Sequence, residues 1–145
     1  MRYAKLCDIP ILISIFESHY GEGALNGMEM YLSSKIRNIS ENMYLISDDN
    51  SMLVIFERIG MFKAQFHVYT LPASRGKLLK DFFEEAFDYV CRAYNYTSFL
   101  TFIPEGDRKA EIAAKYIGCK YLGVVDDANG SGTSEKLYTL VRRVS

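Results

Sequence analysis

Hydrophobic positions recur along the chain with two different periods, and these periods predict its secondary structure. Across residues 77–94 apolar side chains return every three or four positions with charged residues between them, which is typical of an amphipathic helix packed on a sheet. We expect its apolar stripe to include Leu78. Across residues 61–70 apolar and polar side chains alternate, so this segment is predicted to be a strand with one polar face.

Patterning and turn residues predict the remaining elements. A short strand at residues 2–6 precedes a helix that ends near residue 20, with Asp8 as its N-cap and Pro10 in its first turn. Further elements are predicted as a helix at 28–38, a hairpin at 43–47 and 52–58, an interior strand at 97–103, a helix at 108–117, and strands at 120–125 and 136–144. Residues 126–134, rich in Asp, Asn, Gly and Ser, are predicted to form a mobile loop.

Composition and charge limit the class of protein. The 145 residues are 49% hydrophobic and 24% charged, which fits one domain over residues 1–145. A net charge of −1 gives no general attraction to nucleic acid, so nucleic-acid binding is unlikely as a function. Since no apolar run approaches about 20 residues, we expect no membrane span and a cytoplasmic location.

The cysteines indicate neither a metal site nor a disulfide framework. Cys7, Cys91 and Cys119 are an odd number and lack the spacing of metal ligands. Each lies among apolar or helical residues, where buried free thiols are common. We therefore expect no metal and a reducing compartment.

The segment that joins the alternating strand to the long helix is the strongest candidate for ligand binding. Gly76 lies in this turn, where glycine lets a ligand approach the backbone and the helix amides favour an anion. Arg75, Lys77 and Lys80 crowd the helix start although the helix dipole favours negative residues there. The pattern predicts a phosphate site. The alternative is a set of solvated charges with Asp81 as local compensation.

The order of elements and three short motifs resemble the GNAT acyltransferase superfamily. The motifs are Arg2-Tyr3-Ala4 followed by Asp8-Ile9-Pro10, then Arg75-Gly76-Lys77, and Ala113-Ala114-Lys115-Tyr116-Ile117-Gly118-Cys119-Lys120. The resemblance spans nearly the whole chain. It implies a mixed α/β fold: a central, mostly antiparallel sheet of about seven strands with about four helices on both faces.

The resemblance also implies acetyl-CoA or coenzyme A as the ligand and an amine as the acyl acceptor. The superfamily loop is written Gln/Arg-x-x-Gly-x-Gly/Ala, and Gly76 takes its central position, with Ala73 and Leu78 as departures. The pyrophosphate would then lie on Arg75, Gly76, Lys77 and Lys80, and the pantetheine arm would pair with the backbone of Val68, Tyr69 and Thr70.

The catalytic residues of the superfamily match this chain less well. The strand before the loop carries no carboxylate, Ala114 stands where a tyrosine acid is common, and Tyr116 lies two residues further along. His67 is the best substitute base, because an ordinary imidazole titrates near pH 6.5, and Glu57 would orient it or act through water. The alternative is that both belong to an exposed polar surface.

A second function fits the same motifs. The short, tyrosine-rich chain also resembles small GNAT-like proteins of tailed bacteriophages, some of which are described as head-assembly proteins. That resemblance implies a non-catalytic role with phage structural proteins as partners in the host cytoplasm. The departures at Ala73, Leu78 and Ala114 motivate this alternative. For an enzyme, Asp126 and Asp127 would attract a cationic amine, with turn formation as the other reason for their presence.

Overall fold

Seven strands form one sheet in the order β1-β2-β3-β4-β5-β7-β6. The structure is a computed structural model, and it describes residues 1–74, 76–127, 130 and 132–142. The strands are β1 (Arg2–Tyr3), β2 (Asn42–Ile46), β3 (Met52–Arg58), β4 (Lys63–Thr70), β5 (Ser98–Pro104), β6 (Lys120–Val125) and β7 (Glu135–Val141). Every neighbouring pair is antiparallel except β4 and β5, which run parallel. The mostly antiparallel sheet predicted from the sequence is confirmed.

Four α-helices cover the two faces of this sheet. They are α1 (Ile9–Tyr20), α2 (Glu29–Arg37), α3 (Lys77–Tyr94) and α4 (Arg108–Tyr116). One core lies between the sheet and α3 and α4, and the other lies between β2, β3 and β4 and helices α1 and α2. One-turn 3-10 helices at Leu6–Asp8 and Pro72–Ser74 precede α1 and α3.

Alternation along β4 sends apolar side chains into the α3 core. Ala64 and Phe66 are buried there, and the Phe66 ring lies edge-to-face with Phe87 of α3 at 5.2 Å between centroids. Phe87 also packs edge-to-face on Phe99 of β5 at 4.6 Å. Such pairs stabilise the fold by about 0.5–1.5 kcal/mol beyond the area they bury. Helix α3 is therefore fixed across the two parallel strands.

Several details differ from the sequence predictions. Leu78 is 56% exposed, because it lies in the first turn of α3 outside the buried stripe. Strand β4 begins at Lys63, and Phe62 before it is exposed. Cys7 is exposed, whereas Cys91 and Cys119 are buried free thiols.

Asp8 has a different role from the predicted N-cap. Its carboxylate makes no capping hydrogen bond to α1 and instead accepts one from Arg2 Nη1 at 2.6 Å and one from the Lys5 amide at 2.7 Å. The Arg2 guanidinium lowers the pKa of the Asp8 carboxyl. This partly buried ion pair joins β1 to the start of α1.

Residues 128, 129 and 131 of the predicted mobile loop, and residues 143–144 at the end of the last predicted strand, lie outside the described residues. Among the residues described, no helix is long and apolar enough to cross a membrane. The same part of the chain contains no cluster of three or more metal-ligating side chains.

Candidate functional site

Strands β4 and β5 separate part-way along their length. Their parallel ladder contains Lys63–Ser98, Ala64–Phe99 and Gln65–Leu100, and no further pair occurs within the described residues although β4 continues to Thr70. A wedge-shaped gap, the β4–β5 cleft, therefore opens toward the carboxyl ends of both strands.

The predicted coenzyme residues of β4 lie along this cleft. Val68, Tyr69 and Thr70 pair with Val54, Leu53 and Met52 of β3 on one side. On the other side they have no ladder partner in the described part of β5. Because a strand between two neighbours hydrogen-bonds in both directions, the cleft side of this segment retains backbone groups for a ligand.

The turn at the end of β4 is anchored to the start of β3. The Leu71 amide donates to the Ser51 carbonyl at 2.8 Å, and the Ser74 hydroxyl bonds to the Ser51 hydroxyl. Both serines are buried. These contacts fix where α3 begins, at the end of the β4–β5 cleft.

Gly76 forms the N-cap of α3 in a conformation that favours glycine. Its φ is 81° and its ψ is −131°, and a Cβ placed on it would meet no atom within 4 Å. The site is therefore open, and glycine is required by the backbone and not by crowding. No described side chain caps this end, so among the described residues nothing competes with an anion for the first-turn amides of Lys77, Leu78 and Leu79.

The cations at this end of α3 are free of carboxylate partners in the described structure. Lys77 and Lys80 are exposed, and no described carboxylate lies within 4.0 Å of either ammonium group, that of Asp81 included. Lys80 Nζ lies 5.2 Å from the centroid of the Tyr116 ring of α4. Arg75 lies outside the described residues.

The two predicted catalytic side chains lie together on the α1 and α2 face of the sheet. His67 Nε2 donates to Glu57 Oε1 at 2.9 Å, and Lys35 Nζ of α2 lies 3.9 Å from Glu57 Oε2. The hydrogen bond from His67 is the main cause of the lowered pKa of the Glu57 carboxyl, followed by the nearby positive charges. Both side chains are about one-third exposed and are accessible to a ligand.

Comparison with known proteins gives a match in three-dimensional structure only. No known protein family matches the sequence, and no curated protein matches it. A chimera of Vibrio cholerae spermidine N-acetyltransferase SpeG with hSSAT superposes with a TM-score of 0.76 at 15% identity, over 97% of this chain and 94% of that one. The acetyltransferase of ribosomal protein L7/L12 from Salmonella typhimurium gives 0.82 at 11% identity, over 97% and 93%.

A third structure carries the coenzyme. RimL, the ribosomal L7/L12 alpha-N-protein acetyltransferase in complex with coenzyme A, gives a TM-score of 0.78 at 12% identity, over 97% of this chain and 92% of that one. This chain has the GNAT fold. The fold class predicted from the sequence is thereby confirmed. The three neighbours are acetyltransferases and give the head-assembly resemblance no support.

Within the GNAT fold, the residue at the usual tyrosine position is buried and apolar. Ala114 is 5% exposed and packs in the α3 and α4 core. Tyr116 is 47% exposed and lies beside Lys80, near the end of α3 that starts at the β4–β5 cleft. Tyr116 therefore does not lie where Ala114 lies, the position at which the resemblance places a tyrosine.

A pair of tyrosine hydroxyls near the end of β4 was missed by the sequence analysis. The Tyr20 and Tyr69 oxygens are 2.9 Å apart, and the rings of Phe16 and His19 pack edge-to-face on Tyr69. Burial and the hydrogen bond with Tyr20 raise the pKa of the Tyr69 phenol. Tyr69 follows His67 by two residues and faces the same side, and this period was visible in the sequence. The contact between Tyr69 and Tyr20 of α1 was not visible in the sequence.

Proposed function

We propose that this protein is an N-acyltransferase that transfers an acyl group from acyl-coenzyme A to an amine. The observation that carries the proposal is the alignment of the β4–β5 cleft with the uncapped amino end of α3. An extended thioester arm fits beside an unpaired strand edge, and a diphosphate fits at a helix amino terminus. The unpaired edge of β4 and the amino terminus of α3 lie at the same end of the sheet.

The residues present fit acetyl-CoA. The backbone of Val68, Tyr69 and Thr70 would pair with the pantetheine arm along the free edge of β4. The pyrophosphate would lie on the amides that follow Gly76, close to Lys77. By sequence position, Arg75 would add a further positive charge, and Lys80 would act from the next helical turn. The coenzyme supplies the activated acyl thioester.

His67 and Glu57 are assigned the proton transfer. The Nε2–H group of His67 is engaged by Glu57, so Nδ1 is the nitrogen that takes the proton from the attacking amine. Because the pKa of Glu57 is lowered, its carboxylate is ionised at neutral pH and stabilises the positive charge that the imidazole gains. The new N–C bond would form as the C–S bond of the thioester breaks, and the proton taken up by His67 would pass to the leaving thiolate, so that coenzyme A leaves as the free thiol.

The solved neighbours support an amine as the acceptor. SpeG is named as a spermidine N-acetyltransferase and RimL as an alpha-N-protein acetyltransferase, so amine nitrogens receive the acyl group in both. The head-assembly alternative is supported by neither of these neighbours. A protein that binds no acyl-coenzyme A and transfers no acyl group would support that alternative.

Calorimetric titration with acetyl-CoA tests the proposal. We expect binding that weakens as salt is added, because phosphate contacts are screened. Replacing both cations that flank Gly76, in Arg75→Ala with Lys77→Ala, is expected to weaken binding at least about tenfold, as loss of charge-assisted hydrogen bonds does. Absence of binding by the wild-type protein at millimolar coenzyme would overturn the proposal.

Lys120→Ala is the matched control. Lys120 is an exposed lysine on β6, at the far edge of the sheet from the start of β4. Its removal changes the net charge without touching the candidate phosphate site, so wild-type affinity is expected. If this variant loses as much affinity as the double variant, the effect is one of net charge and the site is misplaced.

A further inference from the structure

Beyond the β4–β5 cleft, the face of the sheet opposite α4 carries an apolar surface that belongs to neither core. Lys136 and Tyr138 of β7 bond to Glu111 of α4, so their neighbours in the strand face the other way. The residues on that other face are Leu100 and Phe102 of β5 and Leu137 of β7. They are half-buried, and they pack in neither core cluster. We call these three residues the apolar floor.

A buried carboxylate stands at one end of the apolar floor. Glu135 is the first residue of β7, lies opposite Pro104 of β5, and faces the same side as Leu137. It is 4% exposed, and its Oε1 atom has no hydrogen-bond partner among the described residues. Burial of a carboxylate oxygen without a hydrogen-bond partner is unfavourable, so a partner for Oε1 is expected.

A cation is the partner that best compensates a buried carboxylate. An ionised carboxylate only accepts hydrogen bonds, and an ammonium group donates up to three. Exposed Asp126 and Asp127 at the nearby end of β6 add negative potential at this edge. No described lysine or arginine lies within 4.0 Å of Glu135, so no described side chain supplies this positive charge.

Strand register gives the separation between this carboxylate and the candidate base. Gln65 is level with Leu100 in the ladder between β4 and β5, and Glu135 is level with Pro104 in the ladder between β5 and β7. His67 lies two residues beyond Gln65 along β4, and its side chain is on the same face of the sheet as the side chain of Glu135. Glu135 and His67 are thus two strands and about two residues apart. With strand spacings of about 4.8 Å and a rise of about 3.3 Å per residue, this separation would be roughly 12 Å between paired backbones, and it is larger here because β4 and β5 are no longer paired at this level.

We propose that Glu135 anchors a second positive charge of the acyl acceptor, while the reacting amine lies at His67. The inference rests on the proposed function and specifies its acceptor as an aliphatic diamine with nitrogens at least about 10 Å apart. The hydrocarbon chain of the acceptor crosses the apolar floor. The nitrogen at Glu135 stays protonated, whereas the nitrogen at His67 loses its proton. Only the nitrogen at His67 therefore accepts the acyl group.

Octane-1,8-diamine and octylamine are the matched probes, because they share one chain and differ by one ammonium group. With acetyl-CoA as donor, we expect kcat/KM for the diamine to exceed that for octylamine by about tenfold or more, the value of a charge-assisted hydrogen bond. Glu135→Gln should abolish this preference and leave octylamine turnover unchanged. Equal use of both amines by the wild-type enzyme, or an unchanged preference in Glu135→Gln, would overturn the inference.

Two further variants test whether a change in net charge or a loss of folding explains the effect of Glu135→Gln. Glu105→Gln removes a charge from an exposed position that follows β5, and it should keep the wild-type preference. Glu135→Asp keeps the charge but withdraws it by one methylene, and it should shift the preferred acceptor toward decane-1,10-diamine. A shift of this kind cannot arise from a general loss of folding.

Calorimetry without the acyl donor separates this inference from the proposed function. Octane-1,8-diamine is expected to bind the wild-type protein and to bind Glu135→Gln at least about tenfold more weakly, with coenzyme A affinity equal in both. Diamine binding that depends on Glu135 in a protein that binds no coenzyme would support the cation site and overturn the transferase. Coenzyme binding with no effect of Glu135 on either amine would overturn the anchor alone.

Discussion

His67 and Glu57 are the side chains on which the proposed chemistry depends. They lie on adjacent antiparallel strands at diagonal positions, since His67 faces Ile55 and Glu57 faces Gln65 in the ladder. Diagonal neighbours on one face are within reach of long side chains, and the 2.9 Å hydrogen bond realises this contact. The pair therefore positions one imidazole nitrogen and leaves the other to act.

Replacing the base tests this assignment. His67→Gln is expected to lower kcat by about 10²–10⁴-fold, the usual contribution of general base catalysis, and to leave the affinity for acetyl-CoA unchanged. Steady-state kinetics and calorimetry measure the two effects separately. Lys63→Gln, at the paired start of the same strand, is the control and should retain activity. Wild-type kcat in His67→Gln would show that another group removes the proton.

The residue scale also shows where sequence reasoning ends. Alternation along β4 identified the face on which His67 and Tyr69 lie. The register of β3 against β4 decides that Glu57 reaches His67, and register depends on the packed sheet. Glu135 lies between the predicted loop at 126–134 and the predicted strand at 136–144, and it was assigned to neither, because its burial comes from surrounding segments and not from its own neighbours in sequence.

At the scale of elements, the amino end of α3 is the feature that positions the candidate phosphate site. The predicted bounds of this helix, residues 77–94, match the structure, because its apolar stripe is long and regular. A free strand edge at residues 68–70 was implied only by the resemblance, which placed the pantetheine arm there. A single strand's pattern carries no information about where its neighbour stops pairing.

Gly76→Ala tests the element directly. Alanine meets no atom in this position, so the cost arises from its positive φ, and we expect a loss of about 1–3 kcal/mol in the free energy of unfolding. The altered backbone should also weaken acetyl-CoA binding. Denaturant unfolding and calorimetry measure the two quantities.

Gly118→Ala is the matched control. Gly118 also has a positive φ, of 98°, but it follows the carboxyl end of α4. It should be destabilised by a similar amount and should bind coenzyme normally. Normal coenzyme binding by Gly76→Ala would show that the backbone at Gly76 does not hold the ligand.

At the scale of the molecule, the fold follows from the order and type of elements, while the acceptor does not. Identities of 11–15% with its structural neighbours leave few shared residues, yet the superposition covers 97% of this chain. A sheet with two helical faces needs the right periodicity and chain order, and many sequences satisfy both. Acceptor choice depends on a few side chains, such as Glu135, that are brought together only by the complete sheet.

Hydrogen exchange with and without coenzyme A is the most direct test of the central claim. That claim is that the free edge of β4 and the amino end of α3 together bind the coenzyme. The account predicts slower amide exchange across residues 66–70 and 76–80 when coenzyme A is added, with residues 42–46 of β2 unchanged. Protection confined to other segments, or no protection at saturating coenzyme, would contradict it.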